Sequence, residues 1–192
     1  MSSVSALRRS QILEVALTAF STSGYHNTSM NDIAEAAGVT KPVVYQHYES
    51  KRALFLAIID HVGDRMIDVL TAATSGLTDG QAQVEAGTIA FFKWVERDKN
   101  AFKFLFDSGT RNDEEFTIAI RKVLDRSAEA IAPLIAIDLD PIHVRTLAHG
   151  VAGASEGVAR FLINNNISFN GEQIGKQIAN LLWAGLRGVD SE

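Results

Sequence analysis

Cysteine is missing from the 192 residues, and its absence excludes a disulfide framework, a thiolate zinc site, an iron–sulfur cluster and a cysteine nucleophile. Long apolar runs are missing as well. Charge interrupts every hydrophobic stretch before the roughly 18 residues that a spanning helix requires, so the chain does not read as a membrane protein. The opening segment MSSVSALRRSQILEVALTAF places Glu14 within its apolar part and repeats at helical spacing, which does not fit a secretory leader and points to a cytoplasmic protein. Sustained alternation of apolar and polar residues, the mark of a half-buried strand, is also lacking. Proline occurs three times, and each one falls where a helix starts or stops.

What is present is an ordinary globular composition, 46% hydrophobic and 21% charged, long enough for one large domain or two small ones. The net charge of −5 argues on its face against a polyanionic partner, but it is unevenly spread. Residues 1–52 carry five bases (Arg8, Arg9, Lys41, Lys51, Arg52) and four acids (Glu14, Asp32, Glu35, Glu49), whereas the rest sets 13 bases against 19 acids. A slightly basic head on an acidic body suits a small DNA-contacting unit whose larger neighbour is repelled by phosphate.

Apolar residues recur at spacings of three and four, so the chain reads as nearly all helix. Leu7, Ile12, Ala16, Ala19 and Phe20 line one face of a first helix that stops near Gly24 in a left-handed cap. Ser29 and Asp32 form a capping box for a short second helix, Met30 to Ala37, ended by Gly38. Thr40 caps the third helix, with Pro42 in its first turn, where the missing N–H costs little. Ser50 caps a fourth, which runs through Leu54, Phe55, Ile58, Ile59, Val62, Met66 and Leu70 for about five turns. Thr78 with Gln81 opens a fifth reaching about Arg97, Asp98 starts a sixth, and Asn112 with Glu115 opens a seventh that Pro133 ends or kinks. Asp140-Pro141 opens an eighth helix to about Asn164, and Asn170 with Gln173 opens a ninth ending near Gly188.

The second and third helices are about eight residues each and are joined by Gly38-Val39, a turn too tight for ordinary antiparallel packing and therefore of helix-turn-helix geometry. Ile33, Ala34, Ala37, Val39, Val44 and Tyr48 supply the contacts that fix the crossing. The opposite face of the third helix presents Lys41, Pro42, Val43, Tyr45, Gln46 and His47 together. Such a helix enters the major groove with its N-terminal residues nearest the base edges. Lys41 can donate to guanine O6/N7, and Val43 can meet a thymine methyl.

The segment TSMNDIAEAAGVTKPVVYQHYESKRALF resembles the N-terminal signature of the TetR family of transcriptional regulators, over about residues 8–60. Gly24-Tyr25, Ile33-Ala34, Ala37-Gly38-Val39, Tyr45, His47 and Ser50-Lys51 fall at the family's relative spacing, while Tyr48 stands where many members carry Phe. The resemblance implies that Lys41, Pro42, Val43, Tyr45 and His47 meet the major groove, flanked by Thr40 and Gln46, with phosphate an alternative partner for Tyr45 and His47. It also implies that Lys51, at the head of the fourth helix, meets a phosphate together with the helix N-terminus, and that Ser29 and Asn31 contact the DNA backbone.

Gly153-Ala154-Ser155-Glu156-Gly157 matches the G-x-S-x-G nucleophile elbow, but it falls inside a helical run and every histidine precedes Ser155, which denies the hydrolase order of residues. No catalytic residue, metal site or cofactor is expected. The same segment reads better as packing, because Ala148, Ala152, Ser155 and Ala159, with Gly150, Gly153 and Gly157, make small-residue rows that let a helix approach. The last two helices of the family pair with their symmetry mates, so the resemblance implies a two-fold dimer through Ala148, Ala152, Ser155, Ala159, Ile178, Leu182 and Leu186; packing within one chain is the alternative. Family members also bind a small effector among the corresponding helices. Met66, Phe91, Phe92, Trp94, Phe104, Phe106 and Phe116 are therefore expected to line an apolar cavity, with Arg121, His149 and Arg160 as its polar groups. The expected architecture is all-α with about nine helices: a helix-turn-helix DNA-binding domain at 1–52 and a larger helical effector-binding and dimerisation domain at 53–192. The expected function is a dimeric repressor of a palindromic operator, released by a small apolar or amphipathic effector. The alternative is a helical small-molecule-binding protein that has lost specific DNA binding.

Overall fold

The computed structural model describes residues 3–107, 113–135 and 139–188. Among these it is all-α, as expected: α1 (Ser3–Asn27), α2 (Met30–Ala36), α3 (Lys41–His47), α4 (Lys51–Thr74), α5 (Gly80–Arg97), α6 (Lys99–Asp107), α7 (Glu114–Ile131), a 3₁₀ turn (Ala132–Leu134), α8 (Pro141–Asn164) and α9 (Gly171–Leu186).

Local capping chemistry sets most helix starts. Asp140 accepts the N–H groups of Ile142 and His143 at 3.0 and 3.2 Å ahead of α8, and Asn170 accepts that of Gln173 at 2.8 Å ahead of α9. The Ser50 hydroxyl accepts the Ala53 N–H at 3.0 Å. Other boundaries depart from expectation. Asp79, not Thr78, caps α5 by accepting the Ala82 N–H at 2.8 Å, since a carboxylate also gains from the positive end of the helix dipole. The expected cap at Asn112 lies outside the described residues, and Asp113 accepts the Phe116 N–H at 3.2 Å. Gly24 has φ 80 and ψ 163, so it kinks α1 in a region open to glycine rather than closing it in a left-handed cap, and one more turn follows to Asn27. Helix α4 outlasts the expected five turns, reaching Thr74 before Gly76 (φ 76) lets the chain turn.

The chain packs as two compact units. The first joins Met1–Gly63 to Asn100–Ile120, around a core that includes Ile12, Ile33, Val44, Leu54, Phe55 and Ile58. Phe55 sits at its aromatic centre, with ring centroids 4.4 Å from Phe116, 4.6 Å from Phe104, 5.0 Å from Tyr25 and 5.2 Å from Phe20.

The second unit joins Asp64–Lys99 to Arg121–Glu192. Here α5 and α9 run antiparallel with their backbones touching. A Cβ added at Gly175 would lie 2.5 Å from Ile89 Cα, and one at Gly171 would lie 2.7 Å from the Phe92 carbonyl oxygen, while the Trp183 ring covers Gly80 at the other end. Glu172 pins the same seam, accepting from Lys93 and from Lys176, each at 2.9 Å.

Candidate nucleic-acid interface

Helix α2 opens with a complete capping box: the Asp32 N–H donates to Ser29 Oγ at 3.2 Å and the Ser29 N–H to Asp32 Oδ2 at 2.8 Å. The Ser29 backbone bond, followed by its hydroxyl, holds the Asp32 carboxyl below its usual range. The helix closes in a Schellman motif. Gly38 adopts φ 64, the Gly38 N–H donates to the Glu35 carbonyl at 3.0 Å and the Val39 N–H to the Ala34 carbonyl at 2.9 Å. That tight exit turns the chain into α3.

Pro42 stands in the first turn of α3, but the Thr40 side chain makes no cap bond, which corrects the expectation that its hydroxyl would cap the helix. The residues of α3 and its C-cap Tyr48 divide by face. Val44 and Tyr48 point into the core, Tyr48 at 4% exposure, whereas Lys41, Pro42, Tyr45 and Gln46 are exposed, Tyr45 at 44%, and Val43 and His47 lie at the margins. Ser29, Asn31 and Thr40 are exposed on the approach to the same element.

Two residues of α1 that the sequence reading passed over hold both ends of this element. Gln11 donates to the Ala37 carbonyl at the turn, at 3.2 Å, and Arg9 donates through Nε to the Tyr48 hydroxyl at 3.2 Å. The Tyr48 hydroxyl donates back to the Arg9 carbonyl at 3.4 Å, and the guanidinium carbon stands 5.4 Å from the ring centre. Burial pushes the Tyr48 phenol up, so it stays neutral. The Tyr48 hydroxyl is thus held by α1. Lys51 has a local role as well: its Nζ donates to the Tyr25 and Thr28 carbonyls at 2.8 and 2.9 Å and lies 4.3 Å from the Tyr25 ring centre. Arg52 meets Asp113 with both Nη groups at 2.7 and 2.8 Å and also pairs with Glu115. The Arg52 hydrogen bond is the main reason the Asp113 carboxyl sits below its usual range.

A two-turn helix presented by a tight turn, with its inner face buried and its outer face basic and polar, is a helix-turn-helix. Residues 12–58 match the sequence model described as bacterial regulatory proteins, tetR family. The N-terminal domain belongs to the tetR family. Over 184 residues, covering 95% of this chain and 84% of the relative, the protein is 29% identical to the HTH-type transcriptional activator FasR of Mycolicibacterium smegmatis. Among solved structures it is similar to a TetR-like transcriptional regulator from Rhodococcus sp. RHA1, with TM-score 0.78 and 27% identity over 96% of this chain and 98% of that one. It also shares its fold with FadR from Bacillus subtilis, solved in complex with stearoyl-CoA, at TM-score 0.81 and 15% identity over 94% and 98% of the two chains. The chain carries a tetR-type helix-turn-helix over residues 12–58, and a helix-turn-helix binds DNA.

The residues expected to line an effector cavity divide between the units. Phe104 and Phe116 pack on Phe55 in the first, where Phe106 also lies buried against Phe102, while Met66, Phe91, Phe92 and Trp94 are buried in the second. The three expected polar groups are not buried. Arg121 is exposed, His149 faces Asp125 at 3.8 Å, and Arg160 pairs with Glu156 on its own helix. Of the expected dimer residues, Ala148, Ser155 and Ala159 are buried within this chain, and Ser155 donates to the Val151 carbonyl at 3.1 Å in the middle of α8. Ala152, Ile178, Leu182 and Leu186 are half-buried. The outer row of α8 is instead Gly150, Gly153 and Gly157, open to solvent, leading to Phe161.

Proposed function

We propose that the protein is a dimeric transcriptional repressor in which residues 1–52 read an inverted-repeat operator and residues 53–192 bind a small apolar or amphipathic effector and a second copy. The observation that carries the DNA role is the division of α3, with Val44 and Tyr48 inward and Lys41, Pro42, Tyr45 and Gln46 outward. A helix of this size enters the major groove, about 12 Å wide. In this reading Lys41 and Val43 address base edges, and Tyr45, Gln46 and His47 address bases or the phosphates beside them. Ser29, Asn31 and Thr40 position the backbone. Lys51 has committed two donors to carbonyls and has one left for a phosphate.

The dimer contact follows exposure. Because Ala148, Ser155 and Ala159 are used internally, the two-fold face is assigned to the outer row of α8, ending at Phe161 (59% exposed), with Leu181 of α9 (66% exposed) beside it in the pairing. FadR, which shares this fold, was solved with stearoyl-CoA, a long acyl chain on a charged head, which supports an effector with a long apolar part. Activation is a second reading, favoured by the likeness to a protein named an activator along 95% of this chain.

Footprinting over the DNA flanking its own gene tests the proposal. Saturable protection of an inverted repeat is the expected result, and a reporter at that site separates repression from activation. Salt-sensitive binding with no preferred sequence would leave the helical small-molecule binder as the better account.

A further inference from the structure

Among the described residues, the buried side-chain polar atom without a hydrogen-bond partner is the indole Nε1 of Trp94. Trp94 is 1% exposed on α5 of the second unit, its ring 6.1 Å from that of Phe91, which in turn lies 5.3 Å from Phe92. Native proteins pair nearly all buried polar atoms, and an exception asks for a functional reason. An indole N–H can only donate, so what it lacks is an acceptor.

The other polar side chains buried in the second unit are hydroxyls: Thr74, Thr88, Ser127 and Ser155. Three of them already donate one turn back along their own helices, Thr74 to Leu70, Thr88 to Val84 and Ser155 to Val151, at 3.1, 2.7 and 3.1 Å. No carboxylate, ammonium, guanidinium or imidazole is buried among the described residues. A charged group entering this interior would meet no fully buried charge to balance it, whereas a neutral oxygen would meet a waiting donor.

We propose that the Trp94 indole N–H is the hydrogen-bond donor of a ligand site inside the second unit, and that the site takes an uncharged, mostly apolar molecule carrying an oxygen acceptor. This deepens, and rests on, the reading of residues 53–192 as effector-binding. The nitrogen is sealed from solvent, so the ligand enters by parting the packing around the indole, and the new hydrogen bond offsets part of that cost.

The test uses the full chain and three probes of equal length: 2-dodecanone, dodecane and dodecanoate. Only two tryptophans are present, so Trp183→Phe assigns the Trp94 indole N–H in a proton NMR spectrum. The ketone is expected to move that resonance downfield and the alkane to leave it in place. Trp94→Phe is expected to weaken ketone binding roughly two- to tenfold, the worth of one neutral hydrogen bond, without the same loss for dodecane. Dodecanoate is expected to bind more weakly than the ketone. An unmoved resonance, equal losses for ketone and alkane, tightest binding of dodecanoate, or no binding by any probe would each overturn the proposal. Should Trp94→Phe fail to fold, the NMR arm on the native tryptophan still decides. Failure here with an intact operator footprint leaves the regulator standing; a shifted resonance with no footprint keeps the site and removes the regulator.

Discussion

At the residue scale the reading element depends on positions with little freedom. Gly38 holds φ 64 with nothing within 4 Å of the place a Cβ would take, so Gly38→Ala adds no clash and isolates the backbone cost. It should lower stability by about 1–2 kcal/mol in urea unfolding, with Gly38→Asn falling between the two. Lys41→Ala should weaken operator binding by about 1–3 kcal/mol and relax preference at one position per half-site, read by competition among operator variants. Lys51→Ala should differ in kind. Its ammonium satisfies the Tyr25 and Thr28 carbonyls, so the variant should melt at lower temperature, and loss of its remaining phosphate contact should reduce the salt slope by about one without changing sequence preference. The role of Lys41 could be foreseen because it depends on position along one short helix. The bonds from Arg9 to Tyr48 and from Gln11 to Ala37 join residues 39 and 26 positions apart, and helical spacing shows which face a side chain occupies without naming what lies opposite.

At the scale of elements, the α5–α9 seam depends on missing side chains. Gly175→Ala would drive a methyl to 2.5 Å from the Ile89 backbone, and backbone yields less readily than a side chain. A loss of about 1–3 kcal/mol is expected in chemical denaturation, while Gly185→Ala, with nothing within 4 Å, should be benign. Acid acts on the same seam through Glu172, whose pKa is lowered to about 2 first by Lys93 and then by Lys176. A depressed carboxylate contributes its stabilisation above its unfolded value of about 4.5 and loses it as pH falls toward about 2. Wild type should therefore out-melt Glu172→Gln near neutral pH, with the gap closing over that window and narrowing in high salt because the group is exposed. Helix starts were legible where one side chain caps its own turn, as at Ser29, Asp140 and Asn170. They were less legible where two candidates adjoin, as at Thr78 and Asp79, where the carboxylate caps the helix and also gains from its dipole. The glycine contacts of α9 were not legible at all, since a glycine serving close approach looks like any other until its neighbour is known.

For the whole molecule, Gly153→Arg or Leu181→Arg should give a folded monomer by light scattering that no longer protects an inverted repeat, because a long cation cannot enter a close helix contact unpaired. Ser155→Ala, inside the chain, should leave the dimer intact. The aromatic residues from Phe91 to Phe116 are neighbours in sequence but serve two cores, and periodicity alone could not divide them. That division bears on the order of events during synthesis. Phe55 finds Phe104 and Phe116 only after the intervening residues have been made, a wait of roughly 3–10 s at bacterial elongation rates. During that interval the nascent reading head carries an uncovered aromatic surface, so it should be protease-sensitive on stalled ribosomes until about residue 120 has emerged, and a fragment ending at Gly63 should lack a cooperative thermal transition. The protein would then acquire its grip on DNA late, as a property of a chain already more than half made.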